Sequence, residues 1–525
     1  MAPPADDLPA PDPPAAAARN LALPVFLLSL GLYLLTTRGL AVADNEVNLD
    51  VTLGIIERGS VALSFNPGKF FSLRNSQGEI QSALWPGMPL AAAPLVALGS
   101  MAEHLLSQGE PAPLTAHFQT AFSDNPEFHI GPEFEPNGLR DQERIDQLKG
   151  LSDSERRRLL HQDARVQAFT LVAPLASAAT VMVFFLSCLA LGLGLRIALW
   201  SSAALGIASP VFYFAGTCWT QPLATLAVAA AIHQVIHLRL ALDRRRVVVC
   251  GTFASLSALV RPDLAPIALV IGVTLLCIAM QRTTLRATLG MLAWFCLPLA
   301  ISAGVLLLWN WLRFASWLVI PGANQLMLFL ARHLPEGLPG PLFSPGAGLL
   351  WFFPFLALSV VGFRNLKADH RWLLWLVLAL VGVVLLVYGA WWQWWSEWSY
   401  GPRYHLPLVS VLALAAAYGL ARAGRRLWTA AKILVGLGLL VQVPGVLLLP
   451  FKLPSPIDPS VWWSFPGFTS WGSLWASVIA REPLNGYAPG IDCLSADSWF
   501  YRLAAVLALG AGALLLRRRG PRLSA

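Results

Sequence analysis

The sequence predicts an all-α polytopic membrane protein with about 12 transmembrane helices, at the ~20 apolar residues each that a bilayer crossing needs. Three observations carry that prediction. Of 525 residues, 56% are hydrophobic and only 13% charged, against roughly 25% charged in an ordinary soluble domain. The apolar residues recur in runs of spanning length rather than in short amphipathic stripes. The basic residues gather in alternate loops, as the positive-inside rule requires. Together these exclude a cytosolic globular enzyme.

The elements follow in order. Residues 1–20, MAPPADDLPAPDPPAAAARN, are rich in Pro and Ala and too polar for a signal peptide's apolar region; a disordered cytosolic tail is expected. Residues 21–40 form the first span, and 41–165 form one long extracytoplasmic loop. Further runs at 166–188, 197–216, 219–238, 264–280 and 287–309 build a central block over 166–309. The run 247–260 is short, but the longer unit that it forms with 264–280 is flanked by Arg244–Arg246 before and by Arg282 and Arg286 after, with Arg261-Pro262-Asp263 in its middle. It predicts a helical hairpin with both feet in the cytosol. An outer loop at 310–346 precedes helices over 347–450, at 347–363, 372–390, 404–421 and 433–450, with an outer aromatic loop at 391–403. A second outer loop, 451–499, carries Trp462, Trp463, Trp471 and Trp475, and a last span at 500–516 ends in a basic tail within 500–525. Those tryptophans are expected at headgroup depth.

One stretch decides the topology. Pro86–Leu106, PGMPLAAAPLVALGSMAEHLL, is long enough to span but carries three prolines and ends in Glu103 and His104. If it crossed the bilayer, the clusters Arg244–Arg246, Arg425–Arg426 and Arg517–Arg519 would fall outside. Lying in the interface as a juxtamembrane helix, it leaves both termini cytosolic and those three clusters inside. The formal charge of +8 then resolves into two faces: cytosolic segments with 19 Lys+Arg against 5 Asp+Glu, and a first outer loop with 10 against 17. The polar insertion 107–164, including DQERIDQLKGLSDSERRRLLHQD, reads as a solvated helical hairpin with an exposed charged face.

Cytosolic segments hold no phosphate-binding glycine loop, Walker pattern or metal-ligand spacing. The outer face is different. Asp44, Glu46 and Asp50 follow the first span at once, in AVADNEVNLDVTLGIIERGS. Carboxylates at a membrane boundary are solvated, paired or functional, because an unpaired charge there costs free energy; a helix cap at Asp44 or Asn45 is the plainer explanation. The three carboxylates also offer oxygen ligands for a hard divalent cation. A second cluster, WWQWWSEWSYGPRYHLP, brings Glu397, Trp398, Tyr400, Arg403 and His405 to one boundary. Gly401-Pro402 forces a turn there, which would hold the Arg403 guanidinium rigidly, in a form suited to phosphate. Trp and Tyr faces suit sugar rings or prenyl chains. Lys69 and Arg74, in SFNPGKFFSLRNSQGE, could meet an anionic headgroup or simply be solvated, and Arg261 could serve the pocket or only pair with Asp263. His233 and His237, i and i+4 on one helix without a third ligand, are expected to be structural.

At these residues the chain resembles the GT-C superfamily of polyprenyl-phosphate-sugar-dependent glycosyltransferases, the class of protein O-mannosyltransferases and the lipid A aminoarabinose transferase. VADNEVNLDVTLGIIERGS is similar to the family's acidic motif, and WPGMPLAAAPLVALG to its proline-containing juxtamembrane helix. NWLRFASWLVIPG with LFSPGAGLLWFFP resembles the N-x-x-x-FG and SPxxGLxxxxP segments, and WSEWSYGPRYHLPLV resembles GGxSYGPRYLLP. The order of these motifs, over about 40 to 410, is the specific part. The chain departs from the pattern with Asp-Asn-Glu in the acidic motif and with Glu397-Trp398 where the family has Gly-Gly.

The resemblance implies a bacterial inner-membrane enzyme that moves a sugar from a polyprenyl-phosphate carrier to a glycan, lipid or protein acceptor outside the membrane, with inversion. Asp44, or else Glu46, would take the acceptor's proton, and Arg403, with Lys69 or Arg74, would balance the leaving phosphate. Two rival classes share the layout: a lipid-carrier flippase or secondary transporter, and a surface-polysaccharide polymerase or ligase. A transporter would place ionisable groups at the midplane between similar halves. A transferase needs Asp44 and Arg403 in one outward site.

Overall fold

A computed structural model describes residues 19–37, 39–40, 43–64, 72–107, 163–319, 329–396, 400–447 and 499–519. Among them, eight helices are long and apolar enough to cross a membrane, and Ala22–Leu35 and Leu195–Ile207 are shorter apolar helices. The chain is therefore a helical, multi-pass membrane protein. The N-terminal tail, most of the insertion 107–164, the loop 451–499 with its tryptophans, and Lys69, Glu397 and Trp398 lie outside the described residues.

Helix α1 (Ala22–Leu35) packs on the last helix, Trp499–Arg519, through Leu34, Tyr501 and Ala505. A short buried helix, α2 (Ala43–Leu53), begins the outer segment and continues through a π turn at Gly54–Arg58. Its carboxylate Asp50 fastens the segment that follows. Asp50 accepts the Ser64 backbone N–H at 2.7 Å and the Ser64 hydroxyl, and pairs with Arg58 at 3.1 Å. Burial pushes the Asp50 carboxyl above its usual range, although Arg58 and Ser64 pull it down. Replacing Asp50 with Ala is expected to cost on the order of 2 kcal/mol, as for hydrogen bonds to a charged group. A melting curve in detergent checks this, and an unchanged midpoint would contradict the lock.

A two-stranded antiparallel hairpin follows, β1 (Ser72–Arg74) and β2 (Ile80–Ser82), with Leu73 opposite Gln81. The sequence does not announce it, because its two strands of three residues are too short for an alternation pattern. Asn75 closes its turn by accepting the Gln77 and Glu79 backbone N–H groups.

Helix α3 (Gly87–Ser107) meets the ends of two other helices. At its start, a Cβ on Gly87 would come 2.4 Å from the Val260 Cα, so only glycine permits this contact with the last residue of α9 (Arg244–Val260). Near its finish, Glu103 accepts the backbone N–H of Ala164, the first residue of α4 (Ala164–Thr170), at 2.9 Å. One face buries Met88, Ala92 and Val96 in the protein, while Leu90, Leu98, Met101 and Leu105 stand exposed on another. By length and composition α3 also qualifies as a span.

The central helices follow as α5 (Val172–Ala190), α6 (Leu195–Ile207), α7 (Pro210–Ala215) and α8 (Gln221–Leu240). The run 197–216 breaks at Ser209, whose hydroxyl caps α7 by accepting the Val211 N–H at 3.1 Å. Asp243 caps α9, the chain turns at Arg261-Pro262-Asp263, and α10 (Ala265–Met280) returns. His233 in α8 meets the Ser187 hydroxyl of α5 at 3.0 Å and packs edge-on against His237, a structural arrangement.

Helix α11 (Leu285–Phe314) is the longest, and its C-terminal turn docks the hairpin. Arg313 donates to the carbonyls of Ser82 and Leu84 and to the Asn310 side chain, while Asn75 donates to the Arg313 carbonyl at 3.1 Å. The run 347–363 does not form one straight helix: Phe353-Pro354 interrupts it, and a 3-10 turn at Pro354–Leu358 leads into α12 (Ser359–Asp369). Helices α13 (Arg371–Gly389), α14 (Leu406–Leu420) and α15 (Arg425–Leu447) complete the bundle, with α14 buried along its whole length.

Candidate functional site

The residues that converge come from five separate parts of the chain. Asp44 sits in the first turn of α2, one short connection after α1 ends. It is half-buried. Burial raises the affinity of its carboxyl for a proton, and the positive charges of Arg403 and Arg261 draw it back down. Asp44 is thus the carboxylate that senses both guanidiniums.

Arg403 opens a 3-10 turn, Arg403–His405, that runs directly into α14. The preceding Gly401 has φ +82°, and a Cβ there would come 2.7 Å from the Phe352 ring. That ring is itself packed edge-on against Tyr400 at 5.1 Å, so the turn needs glycine on both counts. Gly401→Ala is expected to displace Arg403 and reduce binding of phosphate ligands about tenfold, the effect of ~1.4 kcal/mol. Titration against the wild type checks this, and an equal dissociation constant would contradict it. The Arg403 guanidinium lies 4.4 Å over the Trp219 ring and 4.8 Å from that of Tyr404, and Nη2 donates to the Tyr404 hydroxyl at 2.9 Å. Its Nε is buried with no hydrogen-bond partner.

Arg261 comes from the turn between α9 and α10. It forms an ion pair with Asp263 at 2.8 Å and lies 5.4 Å from the Tyr404 ring and 5.8 Å from that of Tyr388. Tyr388, at the end of α13, stacks on Tyr404 with centroids 5.0 Å apart and planes 5° from parallel. His405 meets the edge of Tyr388 at 5.4 Å. The result is two guanidiniums held on aromatic faces, one of them paired with Asp263 and both within electrostatic reach of Asp44. Such an arrangement can bind a phosphate, remove a proton from a hydroxyl, and stabilise negative charge as it grows on a leaving oxygen.

Other expected residues stand elsewhere. Tyr400 is a packing residue: its hydroxyl donates to the Val441 carbonyl, and its ring is enclosed by Phe352 and Tyr213. Arg74 donates to the Gly78 carbonyl of its own hairpin at 3.0 Å and is exposed. Glu46 is buried on α2, but two positions along a helix places it about 200° around from Asp44. Asp50 is engaged by Ser64 and Arg58. Asp44, Glu46 and Asp50 therefore do not assemble as a cation site, and among the described residues no three His, Cys, Asp or Glu side chains do. The expected Arg261–Asp263 pair is present, and it stands inside the site.

Sequence reasoning missed Trp219, Tyr388 and Tyr404 as site residues. Trp219 and Tyr388 lie at the ends of apolar runs, where an aromatic residue is indistinguishable from a membrane-interface anchor. Tyr404 stood inside a quoted motif, next to Arg403, but nothing in the sequence shows that it holds that side chain. Asn310, part of another quoted motif, is a latch for Arg313 rather than a site residue.

No protein-family profile matches the chain, and no curated protein does. Among solved structures the chain is similar to the crystal structure of ArnT from Cupriavidus metallidurans bound to undecaprenyl phosphate. The TM-score is 0.43 at 14% identity, covering 95% of this chain and 76% of that one.

Proposed function

We propose that the chain is a membrane glycosyltransferase that moves a sugar from a polyprenyl-phosphate donor to an acceptor hydroxyl on the extracytoplasmic face. The observation that carries this reading is the gathering of Arg403 and Arg261 on the rings of Trp219, Tyr404 and Tyr388, within electrostatic reach of the Asp44 carboxyl. Asp44 takes the proton of the acceptor hydroxyl as that oxygen attacks the anomeric carbon. The bond between that carbon and the phosphate oxygen breaks with inversion, and the carrier phosphate leaves with the electron pair. Arg403 and Arg261 balance the charge that develops on it.

The same reading sets the topology: twelve spans, both termini in the cytosol, and α3 in the outer interface of a bacterial inner membrane. The basic inner segments support it. So does α3, which touches the Val260 end of α9 and the Ala164 end of α4, both outer ends in this topology, and leaves an apolar face for lipid.

The test is ligand binding by the full chain in lipid nanodiscs. Saturable binding of polyprenyl phosphate is expected, with no competition from the phosphate-free polyprenol of equal length. Equal binding of the two would overturn the reading.

A further inference from the structure

Beside the two guanidiniums stands a group of buried polar atoms that the mechanism does not use. His405 is 0% exposed, Tyr388 3% and Trp219 5%. Neither ring nitrogen of His405, nor the Tyr388 hydroxyl, nor the Trp219 indole nitrogen has a hydrogen-bond partner, and the Arg403 Nε is in the same condition. These residues are one cluster in space. His405 touches Tyr388, Tyr388 stacks on Tyr404, and Arg403 bridges Tyr404 and Trp219. Buried polar groups without partners are costly unless a ligand or water completes them.

The mixture of donors and acceptors defines what completes them. Trp219 Nε1 and Arg403 Nε only donate, the Tyr388 hydroxyl does both, and an imidazole offers one of each when neutral. An ammonium group would face two obligate donors and the cations Arg403 and Arg261. The nearby carboxylates of the site are already committed, Asp263 to Arg261 and Asp44 to its place beside the two arginines. Sugar hydroxyls donate and accept at once, and aromatic faces suit their rings.

We infer that the cluster of His405, Tyr388 and Trp219 is a subsite for the transferred sugar and that this sugar is a hydroxyl-bearing one without an amino group. The inference rests on the donor reading above and names the sugar class for that same site.

The experiment compares three probes on the full chain in nanodiscs: bare polyprenyl phosphate, the same carrier bearing a neutral hexose, and the same carrier bearing an amino sugar. The hexose carrier is expected to bind about tenfold tighter than the bare one, and the amino-sugar carrier no tighter than the bare one. Tyr388→Phe keeps the stacked ring and removes only the hydroxyl; His405→Leu removes both nitrogens at similar bulk. Each is expected to erase most of the hexose advantage. A melting midpoint in nanodiscs within a few degrees of the wild type shows that the variants are folded. A preference for the amino-sugar carrier, or a hexose advantage that survives both substitutions, overturns the inference while the donor reading stands. Failure of bare polyprenyl phosphate to bind overturns the donor reading itself.

Discussion

Asp44→Asn is expected to lower the rate of sugar transfer by about 10²–10⁴-fold, the range that a positioned general base contributes, while the dissociation constant for the lipid-phosphate donor changes little. Glu46→Gln, on a different side of the same buried helix, is expected to keep most of the activity. Loss in Glu46→Gln with retention in Asp44→Asn would move the base to Glu46. Burial raises the Asp44 carboxyl above its ordinary range, against the pull of Arg403 and Arg261. The rate should therefore rise with pH along a limb centred above the ordinary carboxylate value, since the ionised form is the base. The same shift has a consequence for stability. The folded chain binds this proton more tightly than the unfolded one, so the contribution is fully present below the unfolded value and is lost as pH rises through the raised one. At neutral pH, Asp44→Asn is therefore expected to melt no lower than the wild type, which separates its loss of activity from a loss of fold.

Arg403→Ala is expected to weaken donor binding about 100-fold, equivalent to ~2.7 kcal/mol, within the range for losing one partner of a buried charge pair. Arg403→Lys should restore only part of this. An ammonium cannot make the planar contact with Trp219 or the fork to phosphate oxygens, although it keeps the charge. Because Arg403 is one of the charges that pull the Asp44 carboxyl down, the acid limb of the rate profile should move upward in Arg403→Ala and much less in Arg403→Lys. Unchanged donor affinity in Arg403→Ala would exclude the phosphate role. An unmoved limb would exclude the electrostatic link between the two residues.

Much of the molecule was legible from the residues in order. Hydropathy located most of the long helices because transfer of an apolar run into lipid depends on the composition of that run alone. The turn at Gly401-Pro402, and the suitability of Arg403 behind it, were also local facts. So was the Arg261–Asp263 pair, two residues apart on one turn. Breaks inside apolar runs were less visible: Ser209 and Phe353-Pro354 end helices within stretches that hydropathy reads as continuous.

Other roles depended on what each side chain meets. Tyr400 belongs to the same motif as Arg403, yet Val441, Phe352 and Tyr213 enclose it and make it a packing residue. Asp50 and Asp44 are both boundary carboxylates in one helix, but Ser64 and Arg58 hold the first while Arg403 and Arg261 face the second. Arg74 and Arg313 are both cations near the hairpin; one closes on its own turn and the other docks the hairpin to α11.

By itself, then, the sequence determined that this chain crosses a membrane repeatedly and which residue types stand at the boundaries, because those properties arise within short segments. Only the tertiary structure brought Arg261, Arg403, Trp219, Tyr388 and Tyr404 together, within electrostatic reach of Asp44. Apart from the neighbours Arg403 and Tyr404 they lie in different segments, and a shared location between distant segments is a product of helix packing, which leaves no local pattern to read.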